Sequence, residues 1–249
     1  MLEPWQWAAA LALALIAGTV SGISGFGAGL MLSAYLLPIL GARVTVPVLA
    51  VAMVLTNAGR VWAFRESLSL RIALPVLAGV LPGALAGSYA FGALGGAWAD
   101  LIVGGFLIVS VLLRRALSGR ALKATPRVLA VGGVITGLLS GITTGAGMLL
   151  IPLLLGAGLP ARALIATDAF VSGSMHVART AGYAAGGVLG LDLVLLGIAL
   201  GAATVPGSRA AAWLVARIPP WKHVVVLEGL VVAIGAMTVW GAVRELLGL

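Results

Sequence analysis

The chain has 249 residues, of which 61% are apolar, 36 are glycine and only 9% are Asp, Glu, Lys or Arg. Soluble domains carry roughly 25% of those four residues, so a water-soluble enzyme, a secreted domain and a disordered chain are all excluded. Cysteine is absent, which removes disulfides and thiolate metal sites; two histidines are too few for a dense zinc cluster, and the net charge of +8 is scattered between apolar stretches, not gathered into a basic face for nucleic acid.

What remains is an all-α polytopic membrane protein whose surroundings are the lipid bilayer, with no cofactor, metal or nucleic-acid partner indicated. Ten apolar segments follow in order. The first, 5–20, opens at Trp5 and Trp7, which suit the membrane interface. No Lys or Arg precedes them, so a cleaved leader is not expected. A glycine-rich break, Ser21–Gly29, leads into 27–40. Segments 45–63, 72–94 and 98–113 come next, then a loop holding Arg114, Arg115, Arg120, Lys123 and Arg127. Segments 128–142 and 145–156 meet at a second break, Ser140–Gly147; 161–182, 190–213 and 223–243 complete the series. Several reach the ~20 residues that cross the hydrocarbon. The pairs 5–20 with 27–40 and 128–142 with 145–156 are short, and read as half-helices, re-entrant hairpins or steeply packed short spans.

The loop 114–127 is expected in the cytoplasm, because short cytoplasmic loops collect Lys and Arg. That orientation also puts Arg65, Arg71, Arg162, Arg217 and Lys222 inside. Asp100 marks a turn outside, and both termini fall in the periplasm. Arg43 and Arg244 oppose the rule. Trp62, Trp213, Trp221 and Trp240 read as interfacial belt residues.

The chain also repeats itself. Residues 21–32 read Ser-Gly-Ile-Ser-Gly-Phe-Gly-Ala-Gly-Leu-Met-Leu, and residues 140–150 read Ser-Gly-Ile-Thr-Thr-Gly-Ala-Gly-Met-Leu-Leu. Each leads through a short apolar run to a glycine (Gly41, Gly158), then to a helix with an Arg near its start (Arg43, Arg162) and another near its far end (Arg60, Arg179). A Pro-Gly pair recurs at 82–83 and 206–207. The expected organisation is a first transmembrane repeat over 1–115, a basic linker over 116–127 and a second repeat over 128–249. An odd number of crossings per half inverts one repeat relative to the other, an architecture of secondary transporters. Small residues four apart (Gly79, Gly83, Gly87; Gly137, Gly141, Gly145; Gly182, Gly186, Gly190) read chiefly as helix-packing faces. Such faces are compatible with a homodimer, but no segment marks its interface.

Two repeats opening with Ser-Gly and continuing to Gly-x-Gly, each leading to a short helix containing Pro38 or Pro152, resemble the TauE/SafE sulfite exporter family. The Ala-Leu-Ile-Ala-Thr-Asp run at 163–168 is similar to that family's second-repeat motif. The stretch Val44 to Val51 departs from it, lacking an Ala-x-x-Thr-Ser-like run. The resemblance covers nearly the whole chain. It implies a carrier in the bacterial inner membrane for a small anion: sulfite, sulfoacetate, taurine-like compounds or a small carboxylate.

The residues themselves give candidates for substrate binding. At the breaks, Ser24, Gly25 and Gly27, and Thr143, Thr144 and Gly145, offer hydroxyls and helix N-termini that suit an anion. The alternative is a packed hairpin tip with capped helices. Arg60 and Arg179 present planar donor forks suited to sulfonate or carboxylate, or else snorkel to the interface. Asn57 and Ser174 occupy roughly matching positions and either line the same cavity or bond between helices. Asp168 and His176 lie eight residues apart, about two turns, and are candidates for proton coupling; the competing reading of Asp168 is a pair with an Arg or a helix cap. Glu228 reads as interfacial or paired with Arg217 or Lys222. A passive anion channel fits the same residues. A rhomboid-like intramembrane serine protease, using Gly22-Ile23-Ser24-Gly25 with His176 as base, is the reading from another class.

Overall fold

Glycine and proline set where the apolar segments stop and how closely they meet. The computed structural model describes residues 3–24, 27–117, 124–214 and 220–248. Among these there are ten α-helices and no strand. They are α1 (Pro4–Ser24), α2 (Ala28–Leu40), α3 (Ala42–Phe64), α4 (Leu70–Gly92) and α5 (Gly96–Leu117), then α6 (Pro126–Ile142), α7 (Leu150–Leu155), α8 (Ala161–Ala185), α9 (Leu191–Leu214) and α10 (Pro220–Leu247). A 3-10 turn, Ala146–Leu149, feeds α7. Among the described residues, four helices, α1, α3, α4 and α5, are long and apolar enough by length and composition to cross a membrane. The 13 residues of α2 give about 20 Å at ~1.5 Å per residue, short of the ~30 Å hydrocarbon. The expected segment 5–20 extends further, to Ser24, because nothing in Val20 to Ile23 stops a helix.

Helices α3 and α8 pack against each other and run antiparallel: Arg60 meets Asp168, while Asn57 sits beside Gly173. Around them the two halves of the chain exchange partners. Helix α6 packs on α4, α1 packs on α9, and α5 packs on α10. Helix α4 also covers α8, and α9 covers α3.

The α4–α6 contact shows why glycine is used. Lipid tails supply no hydrophobic drive between helices, so association needs close backbone approach. Gly79, Gly83 and Gly87 of α4 face the α6 backbone at Ala130, Val134 and Leu138. Gly133, Gly137 and Gly141 return the contact against Val76, Val80 and the Ala84–Ser88 stretch. A methyl group on Gly83 would lie 2.6 Å from the Val134 carbonyl oxygen, and one on Gly133 would lie 2.5 Å from that of Val76. The α6 stripe is therefore Gly133, Gly137 and Gly141. Gly145, which shares its spacing, sits in the following turn. The same device joins α1 to α9, where Gly18 faces Thr204 and Gly207 faces Leu15 and Thr19.

Two charged residues tie helix ends together. Asp100, which the sequence suggests for a loop, lies inside α5 just past its first turn, and its Oδ1 accepts from the Ala42 N–H at 2.6 Å, capping α3. Arg43 donates to the Leu94 carbonyl at 2.8 Å, just beyond α4. This contact gives Arg43 a structural role that does not depend on which side of the membrane it faces. Trp5, Trp62, Trp98 and Trp240 are exposed, as belt residues would be. The basic residues Arg120 and Lys123, Arg217, and the side chains of Lys222, Glu228, Trp213 and Trp221 lie outside the described residues.

Candidate functional site

Both glycine-rich breaks use one backbone device. Gly27 precedes α2 with φ 110° and ψ −21°, and Gly145 precedes the 3-10 turn with φ 87° and ψ −9°. Residues with a Cβ rarely adopt such angles, which is why the Gly-Ala-Gly triplet recurs. Each glycine turns the chain so that a new helical segment starts within the protein.

The two turns help enclose a cavity of about 90 Å³. A water needs only ~10–15 Å³ on such a measure, so the space suits several waters or one small oxyanion. Helix α3 contributes Leu49, Met53, Thr56, Asn57 and Arg60; helix α8 contributes Asp168, Ser172, His176 and Arg179. Ser21, Gly27 and the start of α2 close one side, and Ser140, Thr144, Gly145 and Met148 close another.

The four α8 residues share a face because they fall four, eight and eleven residues after the first. Ser174 falls out of that phase. Its hydroxyl donates back to the Phe170 carbonyl at 2.9 Å, and it is not part of the lining. Thr143 bonds its own helix through the Leu139 carbonyl and contributes only its backbone oxygen. Thr144 does line the cavity, and its hydroxyl pairs with Ser33 at 2.9 Å. Gly25 lies outside the described residues, as does the side chain of Ser24.

Arg60 and Arg179 are both buried, 5% and 3% exposed, so neither snorkels to water. Each donates through Nη1 to the side chain three residues before it: Arg60 to Asn57 Oδ1 at 3.0 Å, Arg179 to His176 Nδ1 at 3.0 Å. Guanidinium only donates, so His176 Nδ1 accepts and the imidazole is neutral in this arrangement. Here the likeness ends. Arg60 Nη2 donates to Asp168 Oδ2 at 3.1 Å, an ion pair between α3 and α8, while Ser172 Oγ lies 3.5 Å from Asp168 Oδ1. Arg179 Nη2 donates to the Thr143 carbonyl at 3.1 Å and to Tyr183 Oη at 3.0 Å; Nε also reaches Tyr183 Oη at 3.3 Å. Tyr183 in turn donates to the Gly141 carbonyl at 2.7 Å. Among the described residues, every partner of Arg179 is neutral.

Sequence register explains the difference. Arg60 follows Arg43 by the same interval as Arg179 follows Arg162, so Asn57 matches His176 and Leu49 matches Asp168. The first half has an apolar residue where the second has a carboxylate. Asn57 is thus aligned with His176 and not with Ser174. Residues that the sequence reading passed over are Ser172, which helical spacing from Asp168 would have found, and Tyr183, one turn beyond Arg179.

Compared with known proteins, residues 10–238 match the family model for the sulfite exporter TauE/SafE. Neither a curated protein nor a solved structure matches the chain.

Proposed function

The chain belongs to the TauE/SafE sulfite exporter family, one of membrane transporters, and on that premise we propose that it is a secondary transporter that binds one small sulfonate-like or carboxylate anion in the cavity between α3 and α8. The observation that carries this reading is Arg179. A guanidinium 3% exposed, hydrogen-bonded only to neutral groups, is a buried charge without a counter-ion among the described residues. Burying a charge is costly unless it is paired. An anion entering beside Thr144 and Gly145 supplies the missing partner. Arg60 Nε–H, buried without a partner among the described residues, gives a second donor on the opposite wall.

Movement would follow from the exchange of helices between halves. In this proposal residues 1–115 and 128–249 are inverted repeats related by an axis in the membrane plane. The support is the matched packing of α4 on α6 and α9 on α1, the antiparallel α3–α8 contact, and the paired left-handed glycines. Rocking of one half against the other about α3 and α8 then opens the cavity to alternate faces, with the segment joining α5 to α6 in the cytoplasm. Asp168 and His176 are the groups through which a proton would couple.

Purified protein in liposomes tests this. Sulfite, methanesulfonate and the zwitterion taurine, with an organic cation as control, are offered under imposed proton and substrate gradients. The expected result is saturable anion uptake, counterflow against an unlabelled gradient, and loss of both in Arg179→Gln. Flux that never exceeds equilibrium under any gradient would instead identify a passive channel.

A further inference from the structure

We propose that Asp168 sets the charge of the anion this site accepts, restricting it to a single negative charge. The proposal rests on the carrier reading above and deepens it. Among the described residues, the ionisable side chains lining the cavity are Arg60, Arg179, Asp168 and His176. The imidazole accepts from Arg179 and counts as neutral. Two guanidinium groups and one carboxylate leave the enclosure with one uncompensated positive charge, and that charge is on Arg179. A monoanion completes neutrality. A dianion leaves an excess negative charge in a buried space, where charge is expensive.

The geometry gives Asp168 the form of a built-in substitute for substrate. Arg60 and Arg179 are matched positions with matched Nη1 bonds, yet Arg60 holds a carboxylate from the facing helix and Arg179 does not. By register, the residue that would bring a carboxylate to Arg179 is Leu49, which lines the cavity and is 2% exposed. One of two equivalent anion positions is occupied by the protein itself, and the other is left for the cargo.

The test uses two probes whose charges do not change near neutral pH: methanesulfonate, a monoanion, and sulfate, a dianion. Binding is measured by calorimetry on detergent-purified full-length protein. Wild type is expected to favour methanesulfonate. Asp168→Asn keeps one oxygen acceptor for Arg60, turns an amide donor toward the Ser172 hydroxyl, which can accept, and removes the charge. One elementary charge across about 8 Å at an effective dielectric of ~20 changes an equilibrium constant roughly thirtyfold. The sulfate-to-methanesulfonate affinity ratio should therefore rise about thirtyfold in Asp168→Asn. Leu49→Asp places a carboxylate at the second position and should weaken both probes, sulfate more, while Leu49→Asn should not reverse the ratio. Either variant decides if the other fails to fold. A ratio unchanged in folded Asp168→Asn or folded Leu49→Asp overturns the proposal, as does wild type preferring sulfate. Wild type binding neither probe overturns the carrier reading itself.

Discussion

Replacing Arg179 separates the roles of charge and of donor geometry. In Arg179→Gln, Tyr183 keeps its bond to the Gly141 carbonyl, and the lost contacts are charge-assisted hydrogen bonds to neutral groups, about 1.5–3 kcal/mol each, offset because the variant no longer buries an unpaired charge. The fold should survive. Binding should not. A unit charge about 4 Å from an anion at an effective dielectric of ~20 contributes about 4 kcal/mol, on the order of a thousandfold in affinity. Arg179→Lys keeps the charge but exchanges the planar fork for a single ammonium, and the expected loss is about tenfold. Thermal stability of both variants in detergent, with and without methanesulfonate, reads folding and binding together. Tracer flux in liposomes then follows the same order: wild type, Lys, Gln. A folded Arg179→Gln protein that binds the anion within threefold of wild type would refute the assignment of Arg179 as the counter-charge.

Four further outcomes follow from named contacts. Asp168→Ala leaves Arg60 buried without its carboxylate and should cost roughly 3–5 kcal/mol of stability, partly restored by added anion; no rescue at saturating anion would count against an open Arg60 position. Gly83→Val drives a side chain into the Val134 carbonyl and should lower stability by about 1–3 kcal/mol or separate α4 from α6, seen as a reduced melting temperature. Asp100→Ala removes the acceptor for the Ala42 N–H and should cost about 1 kcal/mol, whereas Asp100→Asn should retain most of it. Because the chain has no cysteine, Gly119→Cys is a single labelling site, and reaction with an impermeant thiol reagent from outside intact cells would reverse the proposed orientation.

The ten segments were legible because long apolar runs interrupted by Gly and charge have few other interpretations in a chain this poor in ionic residues. Ends were harder. Helix α8 carries Arg162, Asp168, His176 and Arg179, so hydropathy weakens it, yet it runs from Ala161 to Ala185 because Asp168, His176 and Arg179 line the internal cavity, while Arg162 is exposed at the helix start. The two arginines were visible as candidates from their recurrence. Their unequal environments were not, since pairing of Arg60 with a carboxylate 108 positions away depends on which helices meet. Asp168 was open between an arginine pair and a cap, and only the α3–α8 contact selects the pair. Ser174 attracted attention as a match for Asn57, but counting from Arg43 and Arg162 aligns Asn57 with His176 instead. Glycine spacing pointed to packing faces without distinguishing Gly133, which packs, from Gly145, which turns.

The exchange of partners has a consequence for how the chain is made. Helix α4 emerges during synthesis with its glycine face uncovered, and the helix that covers it, α6, comes only after the basic loop. Helix α1 waits far longer, until α9 presents Thr204 and Gly207. Neither half can finish its own packing, so a chain ending at residue 117 should be a client of membrane quality control. Two fragments divided between residues 118 and 123 and produced together should recover each other, because each carries the surface that completes the other.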